Sequence, residues 1–245
     1  MELRVLGLYP DQMNIYADRG NIIFLRRRCE WRGIGFSYAA AGPGDSFDPG
    51  AHDLLYVGGG QDRDQRAVAR DMASTKRDAL AAAVEDGAAL LAVCGGYQLL
   101  GHSYQLGEER LPGLGLADLE TVRESGPRLI GNVAIEVELD ADGARTLAGF
   151  ENHGGRTYLG PDARPLGRVL SGFGNNGKDG LEGVVRANMI GTYLHGPLLP
   201  KNAWLADRLI ALALARRYGS APELAPLDDA LEQAAADSAR DAVGR

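Results

Sequence analysis

Along the first hundred residues, apolar and polar positions fall into short alternating blocks. Residues 3–9 form an apolar run and predict a first strand. Over 22–32, Ile22, Ile23, Leu25 and Cys29 recur at helical spacing among arginines, which predicts a helix. Gly33 closes it as a C-cap would, and residues 34–39 predict a second strand. After a Gly/Pro/Asp-rich loop at 41–50, residues 52–57 read as a third strand ending in Gly58-Gly59-Gly60-Gln61-Asp62. Residues 64–86 are helical in pattern, with Ala79, Leu80, Ala83 and Val84 on one face and Gly87 at the end. Residues 89–93 are then a short, uninterrupted apolar run, the mark of a buried strand. It stops abruptly at Cys94-Gly95-Gly96-Tyr97-Gln98, and helix-compatible residues follow. Strands alternating with helices in this way predict an α/β fold built on a mostly parallel sheet with helices on both faces.

Past Gly101 the pattern changes. Residues 107–115 are turn-rich, 128–139 alternate like a strand with one wet face, and 150–158 and 168–173 suggest short antiparallel strands. A hairpin-like turn at 174–180 precedes apolar runs at 181–186 and 189–194. The second run stops at His195-Gly196-Pro197. An amphipathic helix over 203–217 turns Leu205, Leu209, Leu212 and Ala213 inward. The expected organisation is one domain over 1–220, with an antiparallel elaboration in its second half and an acidic, Ala-rich tail over 221–245. That tail carries few apolar residues and is expected to fray rather than to form a partner-facing helix.

Composition narrows the possibilities without naming a function. With 245 residues, 45% hydrophobic and 24% charged, the chain is an ordinary soluble globular protein able to bury a sizeable core. A formal net charge of −7 argues against general nucleic-acid binding. Two distant cysteines give no disulfide framework, and four histidines show no zinc spacing, so no metal is expected. No apolar window is long enough to span a membrane, and the start of the chain lacks signal-peptide organisation. A reducing, cytoplasmic setting is expected.

Within this frame the chemistry concentrates at Cys94. A strand turning sharply into a helix with a nucleophile-capable side chain at the corner is a nucleophile elbow. The helix N-terminus favours a reactive thiolate, and Gly95 and Gly96 permit both the turn and close substrate approach. Cys29, by contrast, lies in a helical apolar stripe and reads as packing. The Gly58–Gly60 turn ends a neighbouring strand and forms a backbone nest able to face a developing oxyanion. No lysine follows it at the spacing of a nucleotide-phosphate loop. A reactive cysteine needs a proton-transfer partner. His195 is best placed, because it also follows a strand run. His52 precedes a strand, His102 follows the elbow helix, and His153, in a loop, is a candidate substrate contact.

Two stretches, Ala92-Val93-Cys94-Gly95-Gly96-Tyr97-Gln98 and Gly191-Thr192-Tyr193-Leu194-His195-Gly196-Pro197, resemble the class I glutamine amidotransferases of the cobyric-acid-synthase-like group. Over nearly the whole chain the likeness extends to the cell-wall branch of that family, whose members serve lipid II isoglutaminyl synthases. It is carried by Asn14-Ile15-Tyr16-Ala17-Asp18-Arg19-Gly20-Asn21, Tyr56-Val57-Gly58-Gly59-Gly60-Gln61-Asp62 and Phe150-Glu151-Asn152-His153-Gly154-Gly155. The resemblance implies that Cys94 attacks the glutamine side-chain amide while His195 moves the protons. The oxyanion donors would be Gly95 with Gly59 or Gly60, and Arg128 and Gln98 would contact the substrate. Many class I enzymes carry His-x-Glu, whereas Gly196 and Pro197 follow His195 here, so a dyad or a third member from elsewhere is expected. No cofactor is implied for this chain. ATP would be used by a separate MurT-like, Mur-ligase-family subunit that receives the ammonia at the inner face of the cytoplasmic membrane. Two other readings stand beside this one: a subunit for a different carboxylate acceptor, as in cobyric acid synthesis, and a non-catalytic thiol sensor of related fold.

Overall fold

The computed structural model describes residues 1–15, 18–141 and 143–241, with Asp62 described in its backbone alone. Tyr16 and Ala17 of the 14–21 motif therefore lie outside the described residues, as do residues 242–245 of the tail. The first half builds the alternation that the apolar blocks predict. In order it runs β1 (Glu2–Leu8), α1 (Arg19–Glu30), β2 (Gly35–Ala41), β3 (Leu54–Val57), α2 (Asp62–Asp71), α3 (Arg77–Glu85), β4 (Ala89–Val93) and the short α4 (Gly95–Leu99). The helical pattern at 64–86 is interrupted by a π-type turn over Met72–Lys76, where the Lys76 side chain is buried beside Asp71 and Tyr9.

The second half supplies β5 (Ser103–Leu106), β6 (Glu109–Pro112), β7 (Leu119–Arg123), β8 (Leu129–Val137), β9 (Arg145–His153), β10 (Gly155–Leu159), β11 (Gly167–Ser171), β12 (Leu181–Glu182), β13 (Val184–Arg186) and β14 (Met189–Thr192). Helices α5 (Ala203–Tyr218) and α6 (Ala230–Asp241) close the chain. The stretch read as turn-rich at 107–115 carries β6, because Gly107 reverses the chain and lets Glu109–Pro112 pair back on β5. An edge strand made of Glu, Arg, Leu and Pro shows little apolar alternation to read.

Among the described residues the strands form three sheets. The largest has the order β13-β14-β4-β3-β1-β2 and is parallel except for its edge pair β13/β14. Its central strands β3 and β4 are buried at every position, which requires cover on both faces. Helix α5 lies across β1, β3 and β4 with α1 beside it. Two four-stranded sheets, β10-β7-β5-β6 and β12-β11-β8-β9, make up the elaboration. They are antiparallel apart from the β5/β7 pair.

The tail departs from expectation. Instead of fraying, residues 230–241 form α6, which packs on β8, β9 and the turn at 199–201. No residue of α6 is fully buried, so an apolar stripe is not what holds it. Asp229, just ahead of it, accepts from the fully buried guanidinium of Arg28 (2.5 Å), which also binds Asp207. A buried arginine needs such partners, and the tail contributes one of them.

Candidate active site

Four adjacent strands of the large sheet, in the order β14-β4-β3-β1, run parallel and end at the same edge. The segments leaving those ends are Tyr193–Pro197, Cys94, Gly58–Gln61 and Tyr9–Ile15 respectively, with Asp18 following the last of them. Carboxyl ends of parallel strands are where α/β proteins gather their functional groups. Val93 pairs with Thr192 in register, and the Cys94 N–H donates to the Thr192 carbonyl at 2.8 Å. Two segments separated by about a hundred residues of chain are thereby joined at one edge.

Cys94 itself has φ 47° and ψ −103°, a conformation L residues rarely adopt. Such backbone strain, typically ~1–3 kcal/mol, persists only where the surroundings enforce it, and a nucleophile elbow is one such place. Cys94 is 5% exposed, and its sulfur lies near enough to the fully buried His195 ring to act on the ring's charge. His195 Nδ1 faces Asp18 Oδ1 at 3.3 Å. Burial alone would lower the imidazole's pKa. The Cys94 sulfur and the Asp18 carboxylate outweigh it and raise His195 well above its ordinary value.

Asp18, to which sequence reasoning gave no role, is the carboxylate that faces His195. Its Oδ2 accepts from the Gly59 N–H at 2.8 Å, so one buried carboxylate ties the imidazole to the glycine turn after β3. Its own backbone is held in place as well. The Asp18 carbonyl accepts from the Tyr56 hydroxyl (3.1 Å), and that hydroxyl accepts from Asn21 Nδ2 (3.0 Å). Asn21 Oδ1 in turn receives the Leu199 N–H just beyond the His195 segment. The available signal was positional: Asp18 follows β1, a neighbour of the strand that delivers the glycine turn.

The glycine turn separates its two candidate donors. The Gly59 N–H is engaged by Asp18, which corrects the expectation that it faces an oxyanion. The Gly60 and Gly95 N–H groups donate to no other group among the described residues. Gly60 N also lies 2.9 Å from the point where a Gly95 Cβ would sit, so the two backbones face each other closely. That geometry leaves Gly60 and Gly95 as the pair of open donors beside Cys94.

Of the predicted substrate contacts, Gln98 is 3% exposed on α4, its Oε1 accepting from Gln65 (2.7 Å) and its Nε2 donating to Tyr193 (3.1 Å). Arg128 is exposed at the start of β8 and donates from Nε to Asn152 Oδ1 (2.7 Å) and from Nη2 to the Asn152 carbonyl (2.8 Å). Asn152 lies two residues along β9 from Phe150, whose backbone forms a bridge with His195. The strand therefore links Arg128 to the histidine. His153 differs from its prediction. It ends β9 rather than sitting in a loop, and its ring is 1% exposed and stacked on Tyr193 at 3.5 Å. Its Nδ1 faces the Gly155 carbonyl (2.8 Å) and its Nε2 faces Glu151 (3.5 Å), so no free edge is offered to a substrate. Burial lowers its pKa, and the ring serves as packing against Tyr193. His102 is exposed and pairs with Asp118, in keeping with its place beyond the elbow.

A thiol at a strained elbow, an imidazole at the neighbouring strand end and backbone donors between them define a class, the α/β glutamine amidotransferases. The CobB/CobQ-like glutamine amidotransferase domain matches residues 4–203, and the chain belongs to that family. Subunit GatD of the lipid II isoglutaminyl synthase (glutamine-hydrolyzing) of Streptococcus pneumoniae is 38% identical over 241 residues, covering 98% of this chain and 91% of the relative. Its Staphylococcus aureus counterpart is 40% identical over 217 residues, covering 88% and 86%. Among solved structures, PurLQS from Thermotoga maritima superposes with a TM-score of 0.55 at 20% identity, over 80% of this chain and 88% of that one, and shows a shared fold.

Proposed function

We propose that this chain is the glutamine-hydrolysing subunit of a lipid II isoglutaminyl synthase, working by a Cys94–His195–Asp18 mechanism. The observation that carries it is the Cys94 elbow joined at one strand edge to the segment of a buried imidazole, whose Nδ1 faces a buried carboxylate. Cys94 sulfur attacks the side-chain amide carbon of glutamine, and its proton passes to His195 Nε2. Gly60 and Gly95 N–H groups hold the oxyanion that forms, each such donor contributing ~3 kcal/mol by comparison with known cases. The tetrahedral centre collapses as His195 gives its proton to the departing ammonia, leaving a glutamyl thioester. A water molecule then attacks the thioester, its proton goes to His195, and glutamate leaves with the thiol restored. Asp18 keeps the imidazole in the tautomer that leaves Nε2 free to accept, and steadies the imidazolium. Arg128, anchored by Asn152, grips the substrate carboxylate through its planar guanidinium, and Gln98 lines the pocket.

Ammonia is useful only beside an activated acceptor. Both GatD relatives are named as subunits, which supports a partner for this chain. A MurT-like, Mur-ligase-family subunit would use ATP to activate the D-glutamate α-carboxyl of lipid II, and this chain itself would need no cofactor. Among the described residues no helix is long and apolar enough to cross a membrane. In this reading the partner brings lipid II to the chain at the cytoplasmic face of the membrane. The test is to co-purify the chain with its companion, identify it, and measure glutamine-dependent amidation of lipid II. Cys94→Ala should abolish glutamate release and His195→Ala should reduce it by roughly a thousandfold or more. Full glutamate release by folded His195→Ala would remove the histidine from the mechanism, loss of glutamate release in that folded variant would rule out the thiol-sensor reading, and amidation of a different carboxylate would overturn the lipid II assignment.

A further inference from the structure

Helix α2 turns Gln65, Val68 and Ala69 towards the interior, and Met72 just past its end continues the i, i+3, i+4, i+7 stripe. Three of the four are apolar, and Gln65, 2% exposed, is not. A buried amide in such a stripe needs hydrogen-bond partners, because leaving it unpaired costs ~1–3 kcal/mol. Gln65 Nε2 donates to Gln98 Oε1 at 2.7 Å. Gln98 Nε2 donates to the Tyr193 hydroxyl at 3.1 Å, and Tyr193 and Thr157 hydroxyls lie 2.7 Å apart. Thr157 and Thr121 hydroxyls continue the line at 2.8 Å. The two amides give the first part of the chain a direction, from Gln65 through Gln98 to the Tyr193 oxygen, and the hydroxyls of Thr157 and Thr121 extend it beyond.

The same amide borders the elbow. A Cβ on Gly95 would stand 2.4 Å from Gln65 Nε2 and 2.9 Å from Gly60 N. The absence of a side chain there lets Gln65 lie directly over the residue after Cys94, beside the two open backbone donors. We propose that Gln65 is a positioning residue of the glutamine site, holding the Gln98 amide in one orientation next to Cys94. The proposal rests on the glutaminase reading above. Without a donor at position 65, Gln98 Oε1 loses its partner, and its amide can turn over to accept from Tyr193. The pocket would then present the wrong polar edge to glutamine while the Cys94–His195 pair stays intact.

Two variants separate this role from simple space filling. Gln65→Met keeps the volume without the donor, and Gln65→Glu keeps the shape with an acceptor that forces Gln98 to turn. The full chain, with its partner if one co-purifies, is treated with 6-diazo-5-oxonorleucine, a glutamine-shaped electrophile, and separately with iodoacetamide, which needs only the thiol. Labelling at Cys94 is followed by mass spectrometry. Both variants should lose tenfold or more in labelling by the glutamine analogue, with iodoacetamide labelling within twofold of wild type, and kcat/KM for glutamine should fall mainly through KM. Wild-type labelling by the analogue at both variants overturns the proposal, as does an equal loss with both reagents. If Gln65→Met does not fold, Gln65→Glu decides alone. Failure of the analogue to label the wild-type chain would instead remove the glutaminase reading itself.

Discussion

Replacing Asp18 with asparagine tests the site at the point where two of its parts meet. The carboxylate accepts from Gly59 N–H at 2.8 Å through Oδ2 and faces His195 Nδ1 at 3.3 Å through Oδ1. An amide has one acceptor and one donor end, so it can reproduce only one of these contacts. With Oδ1 towards His195, the NH2 group would meet the Gly59 N–H head on and leave a buried donor unpaired, at a cost of ~1–3 kcal/mol. The shorter Gly59 contact therefore wins, and the NH2 group donates to His195 Nδ1. That fixes the neutral ring with its proton on Nε2, the nitrogen that must accept from Cys94. The fold keeps its glycine turn, so stability should change by only ~1–2 kcal/mol. Catalysis should fall much further, by roughly 10²–10⁴ in kcat/KM or about 3–5 kcal/mol at the transition state. Glutamate release gives the rate and thermal unfolding gives the stability. NMR titration of His195 supplies a third reading: with one of the two groups that raise its pKa gone, the inflection should move down. An Asp18→Asn protein within about threefold of wild-type kcat/KM would refute the assignment, since a misplaced tautomer cannot be that mild.

Gly59→Ala would put a methyl group 2.7 Å from His195 Cε1 and 2.9 Å from Ile15 Cγ1, so the ring or the turn must shift. Glutaminase activity should drop by roughly a hundredfold or more while the protein stays folded, because small displacements at a reacting centre are costly. Buried Glu182, its carboxyl pushed up to about 8 chiefly by desolvation with Glu151 adding to it, binds a proton that an unfolded chain releases near 4.5. Its contribution to stability is complete below that lower value and is lost as pH rises through the higher one, at up to ~1.4 kcal/mol per unit. Melting curves from pH 5 to 8 should fall with pH for wild type and flatten in Glu182→Gln, and parallel curves would contradict the assigned burial effect.

The parts of this molecule that follow local rules were legible in its residues. Uninterrupted apolar runs at β3 and β4, the glycines that close helices and the elbow at Cys94 all announce themselves within a few positions. Strand-end topology placed His195 and Cys94 on one edge before any contact was known. What local pattern could not supply was pairing. Nothing near Asp18 states that β1 lies next to β3, so its carboxylate was read as part of a motif and given no task. His153 failed for a related reason. The glycines at 154 and 155 suggested a loop, but β9 continues through His153, and stacking on Tyr193 turns the ring into packing. Gln65 was hidden by its neighbours, since a polar residue in an arginine-rich helix looks solvated until its helical face is known. Likewise α6 has no stripe to read, and its anchor is an arginine about two hundred positions away.

The order of elements along the chain gives the elaboration a mechanical meaning. Between Cys94 on the end of β4 and His195 after β14, the chain leaves the large sheet and builds two others before returning. The return passes through Gly183, whose φ of +64° and approach to the Gly191 carbonyl (2.5 Å from a would-be Cβ) exclude a side chain. The smaller sheets then grip the segment that carries the base. Phe150 of β9 pairs with the His195 backbone, and Thr157 of β10 binds the Tyr193 hydroxyl. Glu182 of β12 accepts from the Tyr193 N–H (2.6 Å) and the Thr192 hydroxyl (3.0 Å). Residues 192–195 are thus held from three strands outside the sheet that delivers them. The carbonyl of Thr192 is also the acceptor for the Cys94 N–H. Distance between sulfur and imidazole is consequently set by the inserted sheets as much as by β4 and β14. A pair of groups delivered by two strand ends alone would depend on loops for its alignment, whereas here the segment that carries His195 is stitched to the smaller sheets.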